Sequence, residues 1–426
     1  MDLQGKRLLL LAGQGVHCKV VEAAKEMGVH TIVTDYLQPE QSPAKQIADE
    51  SALLSILDVD EIVDYCRTHA VDGAMNFCND PATKALQQVN GIMGYPNIGT
   101  AEQIEVLTNK VAFKKFCREH DVDVIPEYSE DDIDAGNIAY PVFVKPIDSR
   151  GSRGTAICHD REELLAAIPA AKSESSDGSC IIEKYIPADH DMTITYLVID
   201  GEPHLIMLGD RYMGSREAGL QRQISSIFLP SQHTAMYMER VNDRMINMIR
   251  ALGIQNGPIF IQGFVDGDTV RMYDPGARFP GNEYERILRR ATGLNPMKSM
   301  ITYFLTGRID DPAGIYCDAF RLNGKRAMQY MLTLGPGVIS RFDGIDTLRA
   351  DPRIIDVQQK RYVGETVIQT GDVKHRALDV SVLVDTVDEL RDVIRFIQGT
   401  VVCEDENGRN MIVSAFSADR LTPYDQ

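Results

Sequence analysis

The 426-residue chain has no tryptophan, and none of its eight cysteines forms a C-x-x-C pair or stands at zinc-ligand spacing from one of its nine histidines. Cys18, Cys66, Cys78, Cys117, Cys158, Cys180, Cys317 and Cys403 are scattered, the usage expected of reduced thiols in a cytoplasmic protein. No stretch approaches the ~18 uninterrupted apolar residues of a membrane span. The opening MDLQGKRLLLLAG lacks the length of a signal h-region and a cleavage site, so it reads as a buried strand. There is no G-x-x-x-x-G-K-S/T, no G-x-S-x-G and no H-E-x-x-H, which excludes a P-loop, a nucleophile elbow and a zincin helix. Positive charge is scarce as well. The formal net charge of −18 repels nucleic acid and anionic membranes, leaving small molecules as the expected partners.

What is present is an ordinary globular composition, 44% hydrophobic and 25% charged, in a chain long enough for two to four domains. The first hundred residues alternate strand and helix: RLLLLAG, HCKVVEAAKEMG, HTIVTDY, DEIVDYCRTH, DGAMNFC. That alternation predicts a doubly wound parallel sheet. Gly13 and Gly15 after the first strand and Asp35 at the end of the second invite a dinucleotide reading, but Cys18 stands where the third glycine belongs. A tight turn in a doubly wound domain fits better. From Thr100 the stretch TAEQIEVLTNKVAFKKFCREHDV predicts one amphipathic helix, opened by a Thr100–Gln103 capping box. Residues 139–186 form a small α+β unit. Two hairpins follow, turning at Asp200-Gly201 and at Asp266-Gly267-Asp268, and a further α+β segment begins near Asp311.

The stretch YPVFVKPIDSRGSRGT carries the most chemistry. Alternation in VFVK puts Val142 and Val144 on one face and Phe143 and Lys145 on the other, so the lysine emerges beside an aromatic ring. Gly151, Ser152, Arg153 and Gly154 suit a loop whose N–H groups turn toward phosphate oxygens, although such a run also serves as a plain solvated turn. Lys110 lies on the preceding helix, Glu183 ends the strand in CIIEKYI, and Asp191 follows in ADHDMTI. If residues 266–268 make a three-residue loop, Asp274 faces Phe260 and Gln262 faces Met272. Gln262 and Asp274 are then diagonal neighbours on one face, ~7–8 Å apart. A carboxylate and an amide oxygen at that spacing suit a shared Mg2+ in the presence of phosphates, or equally an ordinary polar hairpin.

In this order, LTNKVAFKKFCREHDVDVIPEY, YPVFVKPIDSRGSRGT, CIIEKYIPADHDMTI and IFIQGFVDGDTVRMYDPGAR make the chain resemble the ATP-grasp superfamily of carboxylate–amine ligases. The likeness runs from the first domain to the end. It implies three parts: residues 1–100 as a Rossmann-like domain, 101–310 as an ATP-grasp domain of two α+β subdomains with a lid at about 139–186, and 311–426 as a capping domain. It implies ATP with Mg2+ or Mn2+ as cofactors. Lys110, Lys145 and the Gly151–Gly154 loop would lie on the phosphates. Glu183 and the backbone of Lys184, Tyr185 and Ile186 would meet adenine, with Asp191 on the ribose. Gln262 and Asp274 would hold metal. The family's E-x-N-x-R pattern reads Asp274, Gly276, Arg278 here, so a side-chain ligand is missing at Gly276, which leaves one of the two metal sites weak, rebuilt from Asn282 or Glu283, or lost. Arg278 would stabilise charge on the transferring phosphoryl group. Arg211, Arg216 and Arg222 are candidates to hold a substrate carboxylate.

The expected activity is ATP-dependent activation of a carboxylate as an acyl-phosphate for attack by an amine, of the amino-acid or peptide ligase type. A carbamoyl-phosphate-synthase-like or biotin-carboxylase-like enzyme is the alternative, as is a degenerate nucleotide-binding sensor. A homodimer is compatible with the family. Met-Lys in NPMKSM has the wrong spacing for a biotin site, and of the histidines only His190, beside Asp191, draws notice.

Overall fold

A computed structural model describes residues 2–146, 154–175, 177–214, 224–281, 284–309, 315–368, 375–414 and 416–425. The chain opens with the parallel sheet that its alternating pattern predicts. Strands β1 (Arg7–Leu11), β2 (His30–Asp35), β3 (Glu50–Leu53) and β4 (Gly73–Met75) lie in the order β3-β2-β1-β4. Leu8 to Leu11 are almost fully buried, which is why four leucines in a row do not alternate: a parallel strand is covered on both faces. β3, ESAL, has too little apolar character to announce itself. Gly73 is required where it stands, since a Cβ there would lie 2.2 Å from the Phe304 carbonyl oxygen of the Pro296–Thr306 helix packed on β4. Asp35 is tied up internally, accepting from Ser42 Oγ at 2.7 Å and pairing with Lys45 at 2.9 Å. These contacts agree with the turn rather than the dinucleotide reading.

The single helix expected from Thr100 onward is two. The capping box opens Ala101–Thr108, and Asn109 then breaks the run: it is extended and its side chain caps Lys110–Glu119 through Val111 N (3.0 Å) and Ala112 N (3.2 Å). An asparagine competes with the helix ladder through its own side chain, and here it wins. The break sets Lys110 at the first turn of a new helix.

A four-stranded antiparallel sheet follows, in the order β5-β8-β6-β7, from β5 (Glu127–Tyr128), β6 (Val142–Pro146), β7 (Ala156–Cys158) and β8 (Cys180–Lys184). With the Arg161–Ser173 helix it encloses its own small core of Ile133, Val142, Val144, Leu164, Ile168 and Ile182. The burial pattern of β6 alternates as predicted, with Val142 and Val144 inward.

The second layer is one long antiparallel sheet. Its strands are β9 (His190–Ile199), β10 (Glu202–Met213), β11 (Ile224–Leu229), β12 (Gly257–Asp266), β13 (Thr269–Gly276), β14 (Arg326–Leu334), then β16 (Ile354–Gln359) and β18 (Arg376–Val384) after the short β15 (Gly337–Asp343) and β17 (Thr366–Val367). The order is β13-β12-β9-β10-β11-β14-β18-β16, so the sheet carrying the second hairpin continues through β11–β14 pairing into strands beyond residue 311. Asp200 and Gly201 turn the β9–β10 hairpin with φ of 49° and 82°, the left-handed pair a tight turn demands. Met297 and Lys298 lie on a helix, not a hairpin tip.

Candidate functional site

The small sheet and the long sheet face each other across a cavity of about 320 Å³. Ile125, Phe143, Ile157, Ile186 and Phe264 give it apolar lining from both sheets. Lys145, Glu183, Asp191 and Tyr273 are among its charged and polar members. The β8 end, Glu183 to Ile186, runs along one edge. An apolar slot with a few converging polar groups is the usual form of a small-molecule site.

Alternation on β6 and β8 brings Lys145 and Glu183 together. Phe143 pairs with Glu183 and Lys145 with Ile181, so Lys145 and Glu183 sit on one face as diagonal neighbours, and their side chains form an ion pair. Glu183 also accepts from Lys114 Nζ at 2.6 Å, and Lys114 reaches Glu127 at 2.7 Å. Both members of the Lys114–Glu183 pair are buried, with side chains only 2% and 3% exposed. Burial lowers the pKa of Lys145, and the Glu183 carboxylate opposes that fall. Burial alone would raise Glu127, yet Lys114 and Arg118 hold it below the usual carboxylate range. Lys114 was missed from the sequence. It lies four residues after Lys110, one helical turn on, and that spacing was the available signal. The Glu183 carboxylate thus pairs with two amines while the residue lines the cavity together with Lys184, Tyr185 and Ile186.

The hairpin register differs from the expected one. Asp266 pairs with Thr269 across a two-residue turn, and the register shifts again between Gln262 and Gly263, where Tyr273 is the extra residue. Gln262 therefore stands directly opposite Asp274, and Phe260 opposite Gly276. A bulge re-aims side chains locally, and this one turns the diagonal pair into a facing pair. Lys110 Nζ lies 3.1 Å from Asp274 Oδ1. The two oxygen-bearing side chains fit a hard divalent cation: both offer oxygen, and Gln262 Oε1 is 3.1 Å from the Tyr273 hydroxyl that would orient it. Gly276 offers no ligand. A Cβ there would sit 3.3 Å from Arg278 Cγ, so the missing side chain makes room for the arginine. Arg278 stacks over Phe260, 5.0 Å from the ring centroid, and its guanidinium pairs with Asp80 at the start of the Asp80–Met93 helix.

Asp191 and Arg211 face each other on β9 and β10. Arg211 is a strand residue held against Asp191 rather than a loop residue: its Nε lies 2.7 Å from Asp191 Oδ1, and the Tyr273 hydroxyl donates to Asp191 Oδ2 at 2.6 Å. Burial opposes charge on Arg211, but Tyr273 and Asp191 outweigh it and raise its pKa. Burial, then Asp191, pushes the Tyr273 hydroxyl well above its ordinary value. Gly154 has a φ of 67°, and a Cβ there would lie 3.0 Å from Pro146 Cγ and 3.1 Å from Glu174. Gly151, Ser152, Arg153, Arg216, Arg222, Asn282 and Glu283 lie outside the described residues.

The two facing sheets and the slot between them have counterparts among known proteins. The family model for the carbamoyl-phosphate synthase L chain ATP-binding domain matches residues 109–270. A formate-dependent phosphoribosylglycinamide formyltransferase from Sulfurisphaera tokodaii is 23% identical over 310 residues, 68% of this chain and 77% of that protein. Against several other curated relatives the chain spans 34% to 52% of their length. An L-amino acid ligase from Bacillus licheniformis superposes with a TM-score of 0.76 at 17% identity, covering 95% of this chain and 100% of that one. The biotin carboxylase domain dimer of Hydrogenobacter thermophilus 2-oxoglutarate carboxylase, in complex with MgADP, ADP and bicarbonate, gives a TM-score of 0.76 at 19% identity over 96% and 92% of the two chains. The chain has the ATP-grasp fold, the matching family model is that of an ATP-binding domain, and one of the structures it resembles holds MgADP.

Proposed function

We propose that the chain activates a small carboxylate as an acyl-phosphate at the expense of ATP and passes the acyl group to an amine, releasing ADP and phosphate. The observation that carries this reading is an apolar slot with Lys145 in its lining and two further amines, Lys110 and Lys114, brought in from a second element by their pairing with Asp274 and Glu183. In it the purine lies between Ile125, Phe143, Ile157 and Phe264, against the backbone of Lys184, Tyr185 and Ile186. Asp191, held by Arg211, presents its carboxylate edge to the ribose. Lys145 and Lys110 take the phosphates, with Gly151, Ser152, Arg153 and Gly154 closing over them. Gln262 and Asp274 would hold Mg2+, which when bound neutralises phosphate charge. Arg278 stabilises the charge that develops on the transferred group, and Phe260 fixes its orientation.

The three-part division at residues 100 and 310, with 139–186 as a lid that excludes water from the labile intermediate, belongs to the same proposal. So do an amino acid as the acid or amine, for which the L-amino acid ligase fold is the support, and a homodimer, for which the carboxylase domain dimer is. A screen of Mg2+-dependent ADP release across carboxylic acids paired with amines tests it. Release above the ATP-only rate is expected with one acid class and is expected to fall at least ~100-fold in Lys145→Ala, the usual cost of one preorganised charge. Undiminished release in that variant would remove Lys145 from the phosphates. No stimulation by any acid, with ATP still bound, would favour a nucleotide sensor.

A further inference from the structure

At the rim of the nucleotide cleft, β9, β10 and the loop after β11 converge on a second cluster. His190 Nε2 and His233 Nε2 are 3.2 Å apart, and an oxygen of Asp210 completes a group of three donor atoms all within 4.8 Å of one another. We propose that His190, His233 and Asp210 form a binding site for a borderline transition-metal dication of the zinc type, separate from the Gln262–Asp274 pair.

The spacing has a coordination meaning. Zinc–imidazole bonds of about 2.0–2.1 Å in a tetrahedral site put two ligand nitrogens about 3.3 Å apart. The protonation pattern points the same way. His190 Nδ1 lies 2.6 Å from Asp189 Oδ1, which fixes the Nδ1–H tautomer and turns the Nε2 lone pair toward His233. An imidazole oriented by a carboxylate on its far nitrogen is the usual second layer of a metal ligand. That one lone pair also faces the Gln232 amide nitrogen at 3.3 Å, so without a cation two donors crowd a single acceptor. The two imidazoles lie 13° from parallel and meet edge to edge through their Nε2 atoms, and His190 rests on Tyr212 at 4.7 Å.

Asp210 supplies the independent observation. It is fully buried, yet it makes no ion pair with a lysine or arginine among the described residues. Its oxygens accept from Ser231 Oγ (2.6 Å), Gln232 N (2.8 Å) and Tyr424 Oη (2.6 Å). A carboxylate has about four acceptor positions, so one remains, on Oδ1 beside the Ser231 contact. A buried carboxylate without a counter-charge is costly, and a dication shared with two neutral imidazoles supplies one. Three protein ligands leave a fourth position for water or a ligand group. Arg420 pairs with Asp189 at 2.8 Å and Tyr424 holds Asp210, so the C-terminal segment Ala418–Asp425 buttresses the site from outside.

The test is titration of the full chain with Co2+ alone, followed by displacement with Zn2+. One equivalent is expected to give the d–d absorption of a tetrahedral nitrogen and oxygen site, without the thiolate charge-transfer band that the cysteines would produce. His233→Ala should weaken binding at least ~100-fold, because loss of an outer-layer partner alone costs about 10–100-fold. Asp210→Asn should do the same, with far-UV circular dichroism and His233→Gln guarding against misfolding. Asp274→Ala should leave the bands intact. Absence of stoichiometric Co2+ binding, a cysteine charge-transfer spectrum, or bands that survive in His233→Ala and His233→Gln would overturn the proposal.

Discussion

Removing an acid from a phosphate site ought to tighten nucleotide binding, and Glu183→Gln is expected to show why it does not do so at every pH. Glu183 is the contact partner of Lys145 and stands 2.6 Å from Lys114. Burial already lowers the pKa of Lys145, the positive charges of Lys114 and Lys110 lower it further, and only Glu183 raises it. Two unit charges in contact at the effective dielectric of a protein site attract by about 4 kcal/mol. The Lys145 side chain is 19% exposed and the glutamine carbonyl still accepts a hydrogen bond, so about half of that, about 2 kcal/mol, is the support lost. The sign follows. A lysine attracts phosphate only when protonated, and with its pKa lowered further the variant sheds that proton at a lower pH than the parent.

At about pH 6.5, where amines stay charged, Glu183→Gln should bind ATP as well as the parent or better, since a competing carboxylate is gone. By about pH 9.5 its affinity should have dropped roughly tenfold relative to the parent, as a tenfold change takes only about 1.4 kcal/mol. Isothermal titration of ATP across that range is the assay, with Lys145→Met as the reference that has no amine to titrate. Parallel profiles for parent and variant would refute the reasoning, because the affinity would then not depend on a lysine held charged by Glu183.

The other predictions are local. Gly276→Asn restores a side-chain oxygen beside Asp274 but places a Cβ 3.3 Å from Arg278 Cγ, so the Mg2+ concentration for half-maximal nucleotide binding should fall a few-fold while turnover also falls; Gly276→Ala should lower turnover alone. Arg211→Ala leaves the buried Asp191 carboxylate with Tyr273 but without its cation, and should cost about 3 kcal/mol in urea denaturation, the lower end for a broken buried pair. His17 is fully buried, its ring nitrogens have no hydrogen-bond partner of good geometry among the described residues, and burial lowers its pKa to about 4. With an unfolded value of about 6.5, its neutral form supports the fold fully above that pH, and about 3 kcal/mol is lost as pH falls toward 4. His17→Leu should flatten that part of the acid-stability curve, and an unchanged slope would show that other groups set it.

The parallel sheet was legible because buried leucine and valine runs alternate with helical stretches, and the Lys145 face because a single strand has period two. The Asn109 break was not, since apolar spacing continues through it and only the side-chain cap, a choice between two backbone paths, ends the first helix. The Gln262–Asp274 pairing escaped for a related reason. The turn has two residues where three were expected, and the bulge at Tyr273 adds a further step; neither leaves a mark in residue type. Lys114 and the partners of Asp191 and Arg278 escaped because they are contacts between distant segments. Asp80 is 198 residues from Arg278, and His233 is 43 from His190. Periodicity reads one element at a time and cannot see such meetings.

Those long-range pairs explain how so acidic a chain can take up a polyanion. The amines proposed for phosphate are already matched to acids: Lys110 to Asp274, Lys145 and Lys114 to Glu183, and Arg278 to Asp80. A bare triphosphate would meet little net attraction there, and the −18 background would oppose it. A magnesium–nucleotide carries both signs, so each partner can be exchanged rather than lost. Lys110 can turn from Asp274 to a phosphate while Asp274 turns to the cation, and no buried charge is stranded in passing. Exchange of this kind makes nucleotide affinity depend on the metal through Asp274 and Lys110 jointly. Lys110→Ala and Asp274→Ala should therefore be strongly non-additive in a double-mutant cycle, with a coupling of about 0.5–3 kcal/mol. Strict additivity would mean that the pair acts as two independent contacts and that the cleft draws its ligand by some other route.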